Sequence, residues 1–154
     1  MRPLTQCSFA SIEPLLRTPK GTSISQYGLA GDDRSLVVVN VHAVNFSLGL
    51  GVFERQFERI GEVLAAHDGP LILSGDFNTW RPGRQRIIDG LAAALGLSPV
   101  TYAEDFRPRV FGQAIDHIYV RGLTTITSST SDVTTSDHSP MTVTLGTTPP
   151  VEAD

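Results

Sequence analysis

Residues 35–44 read Ser-Leu-Val-Val-Val-Asn-Val-His-Ala-Val and residues 70–78 read Pro-Leu-Ile-Leu-Ser-Gly-Asp-Phe-Asn, and these two runs decide the fold. Ser35 to Val44 is nearly continuous β-branched apolar sequence, the composition of a strand buried on both faces. Between the runs, Phe53, Phe57, Ile60, Val63 and Leu64 recur at three- and four-residue spacing among Glu54, Arg55, Glu58, Arg59 and Glu62. That spacing predicts an amphipathic helix ending near His67, stopped by Asp68-Gly69-Pro70. Leu71 to Ser74 reads as a second buried strand ending in Gly75-Asp76-Phe77-Asn78. A second helix is expected from about Gly83 to Leu95, with Gly96 as its C-terminal cap. Strand, helix, strand, helix is the alternation of an α/β fold.

Upstream, Thr22 to Leu29 reads as a strand ending at Gly31-Asp32-Asp33, and residues 1–20, with Pro3, Pro14 and Pro19, are expected to be an irregular lead-in. Downstream, the pattern turns to short β runs, Ile115 to Val120, Thr124 to Ser131 and Met141 to Leu145, joined by Arg121-Gly122 and Ser136 to Pro140. The folded domain is placed at residues 21–146, and residues 147–154, with Pro149 and Pro150, are expected to be a disordered tail. There is no internal repeat and no low-complexity segment.

A chain of 154 residues suits one compact domain. Its 40% hydrophobic and 18% charged residues exclude a disordered chain. No run approaches the roughly 18 to 20 apolar residues of a spanning helix. The single cysteine, Cys7, excludes an internal disulfide framework and a Cys-based zinc site. Met1 to Ser11 lacks an apolar stretch of signal-peptide length, so a cytoplasmic protein is expected unless a leader has been removed. A net charge of −4 argues against broad, salt-driven coating of nucleic acid, although a local patch can bind phosphate. Eleven of the twelve cations are arginine, and Arg81, Arg84, Arg86, Arg107 and Arg109 fall in two short clusters. Two readings stand side by side: arginines placed to hold substrate phosphates, or the codon bias of a GC-rich genome.

Polar groups gather where the strands end. His42 and Asn45 close the first strong strand, Asp76 and Asn78 the second, Asp116 opens the third, and Asp137-His138 precede the last. Ligands of α/β sheets collect at strand ends, so these four segments are expected at one edge. Asp76, Asn78 and Asp137 offer hard oxygen ligands for Mg²⁺ or Mn²⁺, and the two histidines can exchange protons with a phosphate oxygen. The combination suggests metal-assisted phosphoryl chemistry. Each residue also has a plainer reading: Asp76, Asn78 and Asp137 as turn formers, Asp116 as a strand cap, His42 as a core histidine. His67 and His117 read as non-catalytic.

Four motifs carry a resemblance: Asn40-Val41-His42-Ala43-Val44-Asn45, Gly75-Asp76-Phe77-Asn78-Thr79-Trp80, Ile115-Asp116-His117-Ile118-Tyr119-Val120 and Ser136-Asp137-His138-Ser139-Pro140. In this order they resemble the endonuclease/exonuclease/phosphatase superfamily, which includes deoxyribonuclease I, abasic-site endonucleases, sphingomyelinases and inositol-polyphosphate phosphatases. The resemblance runs from about Thr18 to Leu145. It implies that Asp76 orients or deprotonates the attacking water, that Asn78 holds Asp76 and the phosphate, and that Asp137 binds the divalent cation. It further implies that His138 contacts the scissile phosphate with its tautomer held by Asp116, and that His42 and Asn45 also face the phosphate. Trp80, Arg81, Arg84, Arg107 and Arg109 are the expected substrate-binding residues, with Trp80 either packing beside the site or stacking a base.

The resemblance covers only the C-terminal part of the superfamily's domain, which has two packed sheets flanked by helices. The expected architecture is therefore half of a four-layer α/β sandwich, a mixed sheet with two helices on one face, completed by dimerisation. The half that would supply a metal-ligand Glu has no counterpart, and Glu13, followed by Pro14, lies in no recognisable ligand motif. Two explanations compete. One is a homodimer packed through the exposed sheet face, and the other is a fragment of a longer reading frame. The expected function is a Mg²⁺- or Mn²⁺-dependent phosphodiesterase, foremost a DNA nuclease. The alternatives are a phosphatase or phospholipid phosphodiesterase, and an inactive binding module.

Overall fold

A computed structural model of the chain describes residues 2–147. Its strands and helices, in chain order, are β1 (Thr5–Ile12), β2 (Pro19–Leu29), β3 (Asp32–His42), α1 (Gly51–Leu64), β4 (Leu71–Asp76), α2 (Pro82–Leu95), β5 (Ser98–Pro99), β6 (Arg109–Val110), β7 (Gln113–Ala114), β8 (Asp116–Arg121), β9 (Leu123–Thr130) and β10 (Met141–Thr147). Six strands form one sheet in the order β1-β2-β3-β4-β8-β5. Only β3 and β4 run parallel, joined by the α1 crossover, and every other pair in that sheet is antiparallel. The fold is the expected mixed α/β sheet with two helices.

Register explains which residues face what. Val37, Val39 and Val41 of β3 lie opposite Leu71, Leu73 and Gly75 of β4, which in turn lie opposite Arg121, Tyr119 and His117 of β8. The apolar members of these rows pack against Phe53, Phe57, Ile60 and Leu64 of α1 and Ile88, Ala92 and Leu95 of α2, forming the main core. The alternate rows face the other way: Val38–Ile72–Val120, then Asn40–Ser74–Ile118, and last His42–Asp76–Asp116. The β9–β10 hairpin covers the Ile72, Ile118 and Val120 part of this face with Leu123, Met141, Val143 and Leu145. Towards β2 the same rows carry Ser23 and Ser25, so the free part of the face is largely polar.

Gly75 is the one glycine whose missing side chain shapes the site. Its φ is +135°, and a Cβ there would stand 2.0 Å from the Val41 carbonyl oxygen, so only glycine lets β4 lie this close to β3. Helix α2 begins with Pro82 in its first turn and ends at Gly96, whose left-handed backbone lets its N–H reach the Ala92 and Ala93 carbonyls.

The expected irregular lead-in is corrected for most of its length, since Thr5–Ile12 pairs along its full length with β2. Pro3 and Pro14 stand outside the strands, and Pro19 is the first residue of β2, opposite Ile12, a position at which a strand tolerates proline. β1 is mostly exposed and sits at the sheet edge, which is why it lacks the apolar alternation of a buried strand. The expected tail at residues 147–154 lies outside the described residues except for Thr147, which closes β10. Among the described residues no helix is long and apolar enough to cross a membrane.

Candidate active site

The last row of the free face, His42–Asp76–Asp116, crosses three neighbouring strands at their ends. His42 Nε2 lies 3.5 Å from Asp76 Oδ2 and 2.9 Å from Lys20 Nζ, which donates to it from β2. Asn78 holds Asp76 from both sides, through its backbone N–H to Oδ1 at 3.0 Å and its Nδ2 to Oδ2 at 2.9 Å. The same Nδ2 donates to the Ala43 carbonyl at 3.0 Å, so the Asn78 side-chain oxygen is the end left for a ligand. Asn78 is buried and adopts φ +49°, a conformation asparagine tolerates better than most residues.

His138 reaches the row from the loop before β10, its Nδ1 2.7 Å from Asp116 Oδ2. With Nδ1–H donating to that carboxylate, Nε2 is the nitrogen left to meet a substrate. The Asp116 hydrogen bond outweighs partial burial and, helped by the charges of Asp116, Asp76 and Asp137, holds the His138 pKa above its ordinary value. Burial pushes the Asp116 carboxyl upward against the pull of His138.

Backbone groups after β3 are satisfied by buried side chains from α1, from α2 and from the loop after β1. Gln56 of α1 accepts from the Val44 N–H and donates to the His42 carbonyl. The fully buried Glu13 accepts from the Asn45 and Phe46 N–H groups at 2.9 and 2.8 Å and from the Thr18 hydroxyl. Burial alone would raise the Glu13 pKa, but the Phe46, Thr18 and Asn45 hydrogen bonds hold it below the usual value. Fully buried Arg84 of α2 donates to the carbonyls of Val44, Asn78 and Asn45 and to the Ser47 hydroxyl. Arg84 thus joins the loops that follow β3 and β4. Burial, with the nearby Arg81 cation, lowers its pKa to about 10.

The structure brings His42, Asp76, Asn78, Asp116 and His138 together, with Asp137 exposed beside His138. Asn45 stands next to this group, its Oδ1 accepting from Trp80 Nε1 at 2.9 Å. The arginines are disposed differently. Arg84 lies beneath the loops, Arg107 chelates Asp105 and donates to the Asp116 carbonyl, and Arg109 binds Asp105 and Gly112. Arg81 is exposed, its guanidinium 4.2 Å from the Trp80 ring. Lys20 and the loop-holding role of Glu13 escape sequence reasoning. Being the only lysine was Lys20's one signal, and the contacts of Glu13 lie 32 and 33 residues away.

Asp76 and Asp137 offer carboxylates and Asn78 a free amide oxygen. Among the described residues no group of three or more His, Cys, Asp or Glu side chains is placed to hold an ion. This chemistry fits Mg²⁺ or Mn²⁺ bound through one or two carboxylates with water completing the shell, rather than an ion in an all-protein cage.

Residues 6–138 match the endonuclease/exonuclease/phosphatase family. The chain is 45% identical over 141 residues to UPF0294 protein YE0917 of Yersinia enterocolitica, a match covering 92% of this chain and 54% of that protein. The chain therefore spans about half the length of the curated relatives it matches. Among solved structures, an endonuclease/exonuclease/phosphatase from Bacteroides vulgatus superposes with a TM-score of 0.71 at 15% identity, over 95% of this chain and 66% of that one. D. rerio TDP2, complexed with a single-strand DNA product, gives a TM-score of 0.67 at 18% identity, over 95% of this chain and 68% of that one. At these identities the structural likeness speaks for the fold.

Proposed function

Because the chain belongs to the endonuclease/exonuclease/phosphatase family, we propose that it is a divalent-metal-dependent phosphodiesterase. The observation that carries this reading is the row His42–Asp76–Asp116 with His138 hydrogen-bonded to its end. Asp76, fixed by two Asn78 hydrogen bonds, accepts a proton from the attacking water. His138, oriented by Asp116, presents Nε2–H to the phosphoryl group, and its raised pKa favours the protonated form that stabilises developing charge. Lys20 adds a cation beside His42. A Mg²⁺ or Mn²⁺ ion held by Asp76, Asp137 and Asn78 would supply charge neutralisation at the phosphoryl oxygens.

DNA is the substrate favoured from sequence, which makes the finer form of the proposal a nuclease. Supercoiled plasmid tests it: wild type should nick the plasmid with Mg²⁺ or Mn²⁺ and stop in EDTA, and Asp76→Ala should lose about a thousandfold or more. Intact plasmid alongside hydrolysis of a small soluble diester would remove the nuclease and keep the phosphodiesterase. Loss of both would leave a binding module. Pairing of two copies through the free sheet face is the assembly expected from sequence; the largely polar character of that face speaks against it, and light scattering tests it directly.

A further inference from the structure

At the β5 end of the sheet, α2 and the loop between β5 and β6 leave a cleft of about 660 Å³ beside β8. Strand β8 lends it His117 and Tyr119, α2 lends Gln85, Asp89 and Ala93, and the loop lends Tyr102. Along β8 these two residues alternate with Asp116 and Ile118, and Tyr119 packs with the helices whereas Ile118 packs under the β9–β10 hairpin. The cleft therefore opens on the face of β8 turned away from the His42–Asp76–Asp116 row.

Its walls hold hydrogen-bonding groups that the fold does not use. The Tyr102 hydroxyl is buried with no hydrogen-bond partner, an unfavourable state that a paired ligand oxygen relieves. The Tyr119 hydroxyl accepts from Gln85 Nε2 at 3.2 Å and keeps its own proton to give. Burial raises the pKa of both phenols, so both are donors at neutral pH. The Gln113 side chain, also in the lining, has no partner among the described residues. Charge, by contrast, is balanced. Asp105 takes Arg107 Nε and Nη2, both at 2.8 Å, and Arg109 Nη2 at 2.7 Å, so these two arginines are already committed. Asp89 takes the Gln85 N–H at 2.8 Å. Burial, reinforced by the Arg107 cation, lowers the His117 pKa to about 4 and leaves that ring neutral. With two arginines set against two aspartates, a charged ligand would lose its water and gain no counter-charge.

We propose that the cleft is a binding site for a small, uncharged aromatic amide. Its ring lies among Tyr102, His117 and Tyr119, its carbonyl accepts from the phenol O–H groups, and its N–H donates to the Gln113 side-chain carbonyl. This site is separate from the row, and the proposal does not rest on the phosphodiesterase reading.

The test is titration of the ¹⁵N-labelled chain, followed by amide NMR, with benzamide, benzoate and benzylamine, one ring carrying a neutral, an anionic and a cationic head. Benzamide at about 10 mM should move the signals of Ala93, Tyr102, Gln113 and Tyr119, and the two charged probes should bind about tenfold more weakly or worse. Ala93 is exposed on α2, so Ala93→Trp fills the cleft and should weaken benzamide about tenfold or worse at an unchanged melting temperature. Tyr102→Phe keeps the ring and removes the unpaired hydroxyl; it should weaken benzamide about threefold or more while melting no lower than wild type. Should Ala93→Trp misfold, Tyr102→Phe decides alone. Signals that do not move, or that move only elsewhere in the chain, overturn the proposal. So does benzoate or benzylamine binding as tightly as benzamide, or benzamide binding that is undiminished in either folded variant.

Discussion

His117 sits one residue from Asp116 yet faces the helices, and it shows how neighbouring side chains on one strand divide between stability and chemistry. Arg107 donates to its Nδ1, while its Nε2 lies 2.7 Å from the Thr79 hydroxyl and 3.1 Å from the Ala114 carbonyl. Burial, reinforced by the Arg107 cation, pushes its pKa from 6.5 down to about 4. A depressed pKa means the unfolded chain takes up a proton before the folded one does. Stability is therefore complete above about pH 6.5 and falls by up to about 3 kcal/mol as the pH drops towards 4. Urea unfolding at pH 7.5 and pH 5 should show this loss in wild type and a smaller one in His117→Gln; equal losses would contradict it. Asp116→Ala removes the acceptor that orients His138, and hydrolysis should fall about a hundredfold or more with little change in KM. A variant that keeps full activity would show that His138 needs no such partner.

At the scale of elements, the close approach of β3 and β4 hinges on Gly75. Gly75→Ala forces a Cβ into the Val41 carbonyl and should cost more than about 4 kcal/mol or prevent folding. Gly90, within α2, meets nothing within 4 Å of an added Cβ, so Gly90→Ala should stabilise by about 0.5 to 1 kcal/mol. A melt of both variants checks the pair. Glu13→Ala leaves the Asn45 and Phe46 amides without their acceptor and should cost about 2 to 4 kcal/mol. The helices and central strands were legible in the sequence because their burial is periodic: Phe53, Phe57 and Ile60 recur on one face, and β3 and β4 are apolar throughout. β1 was not, because an exposed edge strand has no such period. The Asp76–Asn78 and Asp116–His138 pairs lie in the four motifs, whereas Glu13 and Lys20 act through contacts that only the folded chain brings near.

For the molecule as a whole, the two faces of the sheet do different work. One buries the core against α1 and α2, and the other ends in the His42–Asp76–Asp116 row and is covered in part by the β9–β10 hairpin. The β2–β3 part of that second face presents Ser23, Ser25 and Asn40 around Val38, a less apolar surface than the sequence suggested. The larger apolar exposure lies instead on the loops that carry Leu15, Leu16, Phe46 and Leu48. We propose that the row and His138 form a metal-dependent hydrolytic site within this chain. The most direct measurement is hydrolysis of bis(p-nitrophenyl) phosphate by wild type, Asp76→Ala and His138→Ala, each with Mn²⁺ and with EDTA. Wild type should turn over with metal only, and either variant should be slower by about a thousandfold. Turnover that persists in EDTA, or in both variants, would contradict it.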